Sequence, residues 1–183
     1  LEFLITSAKK QLPGAPQGGA SFPVDSLLVG KIFGRFHIDV WFGDPVQGEP
    51  DVLTGDDMLA FAGIGPARAL AVPKAQQFAE KLHAYTYVWD DRENTRVKDL
   101  VDMVMLIQRG ELDVAQVRSA VDETFARRNT HDLPDQLKQP PKAWAAEFPA
   151  MAKQAGLTMA DIEEAFDVLV QFAEELGIGR ASR

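Results

Sequence analysis

The change of hydrophobic period at Pro73 constrains this chain more than any other feature. Before it, the patterned stretches alternate in polarity. Beyond it, apolar residues recur with the helical repeat. The stretch Arg35-Phe36-His37-Ile38-Asp39-Val40-Trp41-Phe42 is dense in β-branched and aromatic residues and predicts a strand. Its alternation places Phe36, Ile38, Val40 and Phe42 on one face and His37, Asp39 and Trp41 on the other. Phe22 to Val29 predicts a second strand, with a turn near Gly30 and Gly34, and Ala67 to Val72 a third, short one. Lys9 to Ser21, rich in Gly, Pro, Gln and Ala, predicts a flexible loop. Gly43-Asp44-Pro45 ends the main strand, and residues 46–65 predict a loop with one helical turn around Asp57 to Ala62.

From Pro73 the chain predicts five helices. Proline suits a first helical turn, where its missing N–H has no partner in any case. Phe78, Leu82 and Tyr85 make the stripe of a helix running to about Trp89. A charged loop, Asp90 to Thr95, leads to a helix from Arg96 to Gln108 that buries Val97, Leu100, Val101 and Val104, with Gly110 just past its end. Val114, Val117, Val121 and Phe125 mark a third helix. Pro134 and Pro140-Pro141 form a joint before a short helix around Ala143 to Ala155. In the last helix Thr158 is the expected cap, and Met159, Ile162, Phe166, Leu169, Phe172 and Leu176 form the apolar stripe. Strands followed by helices define an α+β layout, divided into residues 1–72 and 73–183. Two to three strands are few for an independent sheet, so the expectation is either a missing segment on the N-terminal side or strands that pair elsewhere.

Composition narrows the function classes. A net charge of −8 gives the chain no global attraction for nucleic acid, so contact with it needs a local basic patch or a cation. The absence of cysteine excludes disulfides, zinc–thiolate sites and cysteine nucleophiles, and fits a cytoplasmic location. No apolar run approaches the ~20 residues needed to cross a bilayer, and Leu1-Glu2-Phe3-Leu4-Ile5 is too short for a signal peptide. No phosphate-binding loop, dinucleotide fingerprint or nucleophile elbow is present, and Gly14, Gly18 and Gly19 are loop composition.

Three places carry candidate chemistry, each beside a plainer reading. Asp39 is a carboxylate in mid-strand, either on a solvated sheet face with His37 or held for chemistry. Lys81 stands at the edge of a buried stripe, where a lysine snorkels or reaches into a cleft to neutralise phosphate. Arg96-Val97-Lys98-Asp99-Leu100-Val101-Asp102 opens a helix with alternating charges. Asp99 and Asp102 are neighbours at i,i+3, Lys98 reaches Asp102 at i,i+4, and surface ion pairs are the plainer reading. His83 and His131 stand isolated in sequence, with no metal-ligand spacing.

In this order and separation the stretches Phe36 to Val46, Ala79-Glu80-Lys81-Leu82-His83-Ala84 and Arg96 to Asp102 resemble the AbiEii/AbiGii family of abortive-infection nucleotidyltransferase toxins. The resemblance covers roughly residues 20–130 well and the rest loosely. It implies a partial nucleotidyltransferase sheet of the DNA polymerase β type followed by a helical bundle. It also implies Mg²⁺ as cofactor, a nucleoside triphosphate as substrate, an RNA or protein acceptor and an antitoxin partner. On this resemblance Asp39 is the third metal-binding carboxylate, Lys81 contacts the triphosphate with Arg96 and Lys98 beside it, and Asp99 orients Lys81 or the nucleotide. Asp39, Lys81 and Asp99 are then expected to converge on one cleft.

Two departures qualify the transfer. The family's Gly-Ser turn followed by Asp-x-Asp is absent from this sequence, and only Asp44 lies near Asp39. Lys74-Ala75-Gln76-Gln77 stands where an acidic residue often opens the lysine helix. Because the chain opens on Leu1, the expectation is the C-terminal portion of a longer nucleotidyltransferase, incomplete as an enzyme. The alternatives are a degenerate module that binds nucleotide, RNA or a partner without turnover, and a helical interaction protein whose Asp39, Lys81 and Asp99 are surface charges.

Overall fold

The computed structural model describes residues 1–12, 18–42, 45–91 and 93–179. Gly14, the strand end at Gly43-Asp44 and Arg92 of the charged loop lie outside the described residues. The chain divides into two compact units, Leu1–Pro45 and Val46–Arg183. The change of period at Pro73 therefore falls inside the second unit.

The first unit is an antiparallel sheet of β1 (Glu2–Ile5), β2 (Lys10–Gln11), β3 (Gly19–Leu28) and β4 (Lys31–Trp41). β4 pairs along the whole of β3, while β1 and β2 follow one another along its other edge, from Glu2↔Leu27 to Gln11↔Ala20. They act as two halves of one bent strand, joined by bonds from Thr6 N–H to the Pro23 carbonyl and from Lys9 N–H to that of Ser21. Part of the expected loop Lys9 to Ser21 is thus strand. Its composition hid this, because pairing with β3 supplies what local propensity does not. The β1 strand was equally unmarked, having four residues and no turn signal before it.

Val29 and Gly30 close the β3–β4 hairpin as a two-residue turn with φ +51° and +73°. Gly34 is no part of that turn. It lies within β4, where its carbonyl accepts the Ser26 hydroxyl at 3.1 Å, beside the register shift between Ser26 and Leu27. Register and alternation place Phe3, Ile5, Phe22, Val24, Phe36, Ile38 and Val40 on one face. Asp25, Arg35, His37, Asp39 and Trp41 occupy the other.

The second unit begins with a β-hairpin of β5 (Asp51–Thr54) and β6 (Arg68–Ala71), enclosing a short 3-10 turn at Ala60–Ala62. Where the sequence made two to three strands legible, six form among the described residues. Then come α1 (Lys74–Thr86), α2 (Val97–Gln108), α3 (Val114–Arg128), a 3-10 segment at Lys142–Ala146, α4 (Phe148–Gln154) and α5 (Ile162–Glu175). The layout is α+β, as the sequence order implies. α1 stops at Thr86, short of Trp89. The Thr86 hydroxyl donates to the Leu82 and His83 carbonyls, and Tyr87 is already extended at φ −66°, ψ 127°. α5 is capped by Asp161 and not by Thr158: the Asp161 carboxylate accepts from Glu163 N–H at 2.7 Å and Glu164 N–H at 3.0 Å.

The core is helical. Phe78 and Leu82 of α1, Leu100, Val101 and Val104 of α2, Val117 and Val121 of α3, Trp144, Phe148, and Phe166 and Leu169 of α5 are buried together. Phe78 meets Phe172 edge to face at 5.2 Å. Among the described residues no helix is long and apolar enough to cross a membrane.

Candidate functional site

The site is assembled by the joint between α1 and α2. Asn94, ahead of α2, donates from Nδ2 to the carbonyls of Ala84 and Tyr85, which end α1, and accepts the Arg96 N–H on Oδ1. That side chain satisfies terminal carbonyls of one helix while setting the entry of the next. It fixes how the middle of α1 meets the first turns of α2.

Lys81 projects from α1 between two aspartates of α2. Its Nζ donates to Asp102 Oδ2 at 2.6 Å and to Asp99 Oδ1 at 3.3 Å. The side chains are 23%, 13% and 12% exposed for Lys81, Asp102 and Asp99, so the charges are shielded but not sealed. Lys98 reaches Asp102 Oδ2 at 2.9 Å from solvent, and Arg96 Nη1 lies 3.7 Å from Asp99 Oδ2. Burial pushes the Asp102 carboxyl up, but hydrogen bonds and charge from Lys81 and Lys98 outweigh it and hold the group below its ordinary value. Asp99 Oδ2 is buried and has no hydrogen bond among the described residues. The cluster carries three cations against two anions, so it retains one positive charge, and one carboxylate oxygen remains able to accept.

Asp99 lies against Lys81, and Arg96 and Lys98 stand at the rim of the cluster. Asp102 was not among the assigned site residues, yet it holds Lys81 more closely than Asp99 does. The i,i+3 spacing of the two acids was the available signal, since it puts both on one helix face. Asp39 lies exposed in β4 of the first unit, opposite Ser21.

Among the described residues no group of three or more His, Asp or Glu is placed to hold a metal ion. Asp39 is a single exposed carboxylate, and the cation between Asp99 and Asp102 is the lysine ammonium itself. Mg²⁺ binds through one or two carboxylates, waters and substrate phosphates, whereas two-metal chemistry asks for more carboxylates than these residues bring together. The donor set described here does not fit a two-metal centre.

His83 and His131, isolated in sequence, are neighbours in space with ring centroids 4.5 Å apart. His83 Nε2 pairs with the Thr130 hydroxyl at 3.0 Å, and His131 Nε2 with that of Thr86 at 2.8 Å. Burial first, then the nearby His131, Arg128 and Arg127, lowers His83 to about 4. These histidines pack α1 against the end of α3.

The layout and the lysine–aspartate cluster define an α+β protein with a shielded, net cationic site on its helices. The chain belongs to the nucleotidyl transferase AbiEii toxin family of type IV toxin–antitoxin systems, whose family model matches residues 2–171. No curated protein matches it.

Proposed function

We propose that this chain handles the triphosphate in a nucleotidyltransferase toxin that moves a nucleotide from a nucleoside triphosphate to an RNA or protein acceptor. The observation that carries the proposal is the position of Lys81, half-shielded between Asp99 and Asp102 in a family of nucleotidyl transferases. A lysine held by two carboxylates has lost most of its rotamer freedom before ligand arrives. Little ordering entropy then remains to oppose a phosphate contact. Asp99 and Asp102 act here as positioning residues that aim Lys81, while Arg96 and Lys98 add charge at the rim. Phosphoryl-type transfer depends on placement and on neutralising the phosphate oxygens, which is the work such a cluster does.

On the same reading Asp39 is proposed for the remaining carboxylate role, accepting the proton of the attacking hydroxyl. Divalent metal belongs to the family's chemistry, and the residues described here are proposed to leave most of its ligation to groups beyond Asp39. An antitoxin is the expected protein partner, as the family's place in toxin–antitoxin systems implies.

Calorimetric titration of the chain with each nucleoside triphosphate in Mg²⁺ tests this reading, with Lys81→Gln and Asp39→Asn alongside. The expected result is binding that Lys81→Gln weakens at least about tenfold, the scale of a lost charge-assisted contact. Binding indifferent to Lys81 would reduce the cluster to an interhelical ion pair.

A further inference from the structure

A second recess opens one helical turn from Lys81. Tyr85 follows Lys81 by four residues, about 6 Å along α1. It begins a cavity of about 250 Å³ between the end of α1, residues 87–89 with 93–94, and the segment 134–144. Tyr85, Tyr87, Trp89 and Trp144 all line it. Two of these rings are pinned by their polar ends. The Tyr85 hydroxyl donates to the Lys138 carbonyl at 2.8 Å, and Trp144 Nε1 donates to that of Asn94 at 2.7 Å. The two rings meet edge to face at 5.8 Å, and Tyr87 and Trp89 do so at 4.9 Å. The walls are therefore apolar ring surface, two of whose four rings are anchored from behind.

Around this surface stand Glu93, Gln136 and Gln139, none of which makes a side-chain hydrogen bond among the described residues. A carboxylate and two amides offer acceptors and donors together, the complement of a heterocycle whose edge carries both. The cavity is smaller than the ~300–1,000 Å³ of sites for drug-sized ligands, which suits one flat ring system. A proline-rich peptide is the other ligand that aromatic grooves take. Such a peptide is held by ring donors to its carbonyls, and the Tyr85 and Trp144 donors are already consumed, which leaves the glutamine amides alone for that task.

We propose that this cavity binds the base of a nucleotide, stacked on the aromatic wall with its edge read by Glu93, Gln136 and Gln139. The proposal rests on the nucleotidyl-transfer reading for the class of ligand. The base belongs either to the incoming triphosphate, whose phosphates extend toward Lys81, or to the acceptor strand. In a chain of net charge −8, base stacking and not backbone charge then carries the affinity at this point.

The test is ligand-observed NMR on the intact chain with adenosine, guanosine, cytidine and uridine, repeated with Trp89→Ala, Gln139→Ala and Lys81→Gln. At least one nucleoside is expected to bind, about tenfold more weakly after Trp89→Ala, the scale of one lost stacking contact. Gln139→Ala, at an exposed position, is expected to weaken binding severalfold and serves if Trp89→Ala does not fold. Lys81→Gln should leave nucleoside affinity unchanged. Parallel titrations with Mg²⁺–nucleoside triphosphates and with a single-stranded RNA hexamer identify the source, since only the ligand whose base enters the cavity responds to Trp89→Ala. No nucleoside binding at millimolar concentration, binding indifferent to both cavity variants, or binding of a proline-rich peptide in place of nucleosides overturns the proposal. Triphosphate affinity that falls with Lys81→Gln while nucleosides do not bind would leave the nucleotidyl-transfer reading standing and remove the base site alone.

Discussion

At the residue scale, Lys81 and His83 sit two positions apart on α1 in different company. Lys81 enters the joint between helices with Asp99 and Asp102 against its ammonium. Removing its ammonium leaves two carboxylates facing each other in partial shelter. Lys81→Ala is therefore expected to destabilise the second unit by about 2 kcal/mol, below the 3–5 kcal/mol of a fully buried pair because all three groups retain some solvent. Urea unfolding of both proteins at pH 7 measures this. Lys81→Ala combined with Asp102→Asn should recover part of the loss, since one orphaned charge is gone. His83 has no such companion and is neutral when folded, lowered to about 4 against an ordinary value of 6.5. Between those pH values the unfolded chain binds a proton that the folded chain refuses. Its contribution is present in full above pH 6.5 and is lost as pH falls towards 4, on the order of 2–3 kcal/mol. His131, also lowered by burial, acts in the same direction. Asp102 enters only below the ordinary carboxylate range, so the two effects occupy separate windows. Urea unfolding between pH 7 and pH 4.5 should show the decline, and His83→Gln should flatten it. A wild-type stability independent of pH over that range would contradict the assignment.

At the scale of elements, the helices were far more legible than the strands. Stripes such as Phe166, Leu169 and Phe172 name a helix and its buried face because helical contacts are local. β1, β2 and β5 have two to four residues each, and they exist through pairing with partners distant in sequence, which no local pattern records. The same reasoning explains the partial view of the site. Asp99 was assigned through the family resemblance, whereas the preference of Lys81 for Asp102 depends on how two helices dock. Nor does composition mark the aromatic cavity, because Trp144 arrives from some sixty residues beyond Tyr85 in sequence. The turn between β3 and β4 shows an element built against local preference. A two-residue hairpin turn with both positions left-handed favours Asn-Gly, but Val29 occupies the first position at φ +51° and is 94% exposed. A β-branched residue there costs about 1–2 kcal/mol, and its side chain recovers nothing by burial. Val29→Asn should stabilise the first unit by about 1 kcal/mol, read as slower amide exchange along β3 and β4. Unchanged exchange would mean that the turn relaxes in solution.

At the scale of the whole molecule, the two compact units differ in what holds them. The second, from Val46 onward, encloses an apolar core drawn from all five helices, and its hairpin is tied to α1 where Lys74 N–H donates to the Asp51 carboxylate at 3.0 Å. The first has a sheet whose apolar face is largely open. Val24 is 1% exposed, but Phe3, Ile5, Phe36 and Ile38 range from 40% to 60%. A few strands with one uncovered face bury too little surface to offset the entropy of ordering them. It follows that residues 46–179 produced alone should fold cooperatively, with one sharp thermal transition and dispersed methyl resonances. Residues 1–45 alone should remain unfolded or associate through the exposed face and strand edges. A cooperative, monomeric 1–45 fragment would show that this sheet needs no cover. An unfolded 46–179 fragment would show that the helical core depends on the strands that precede it in the chain.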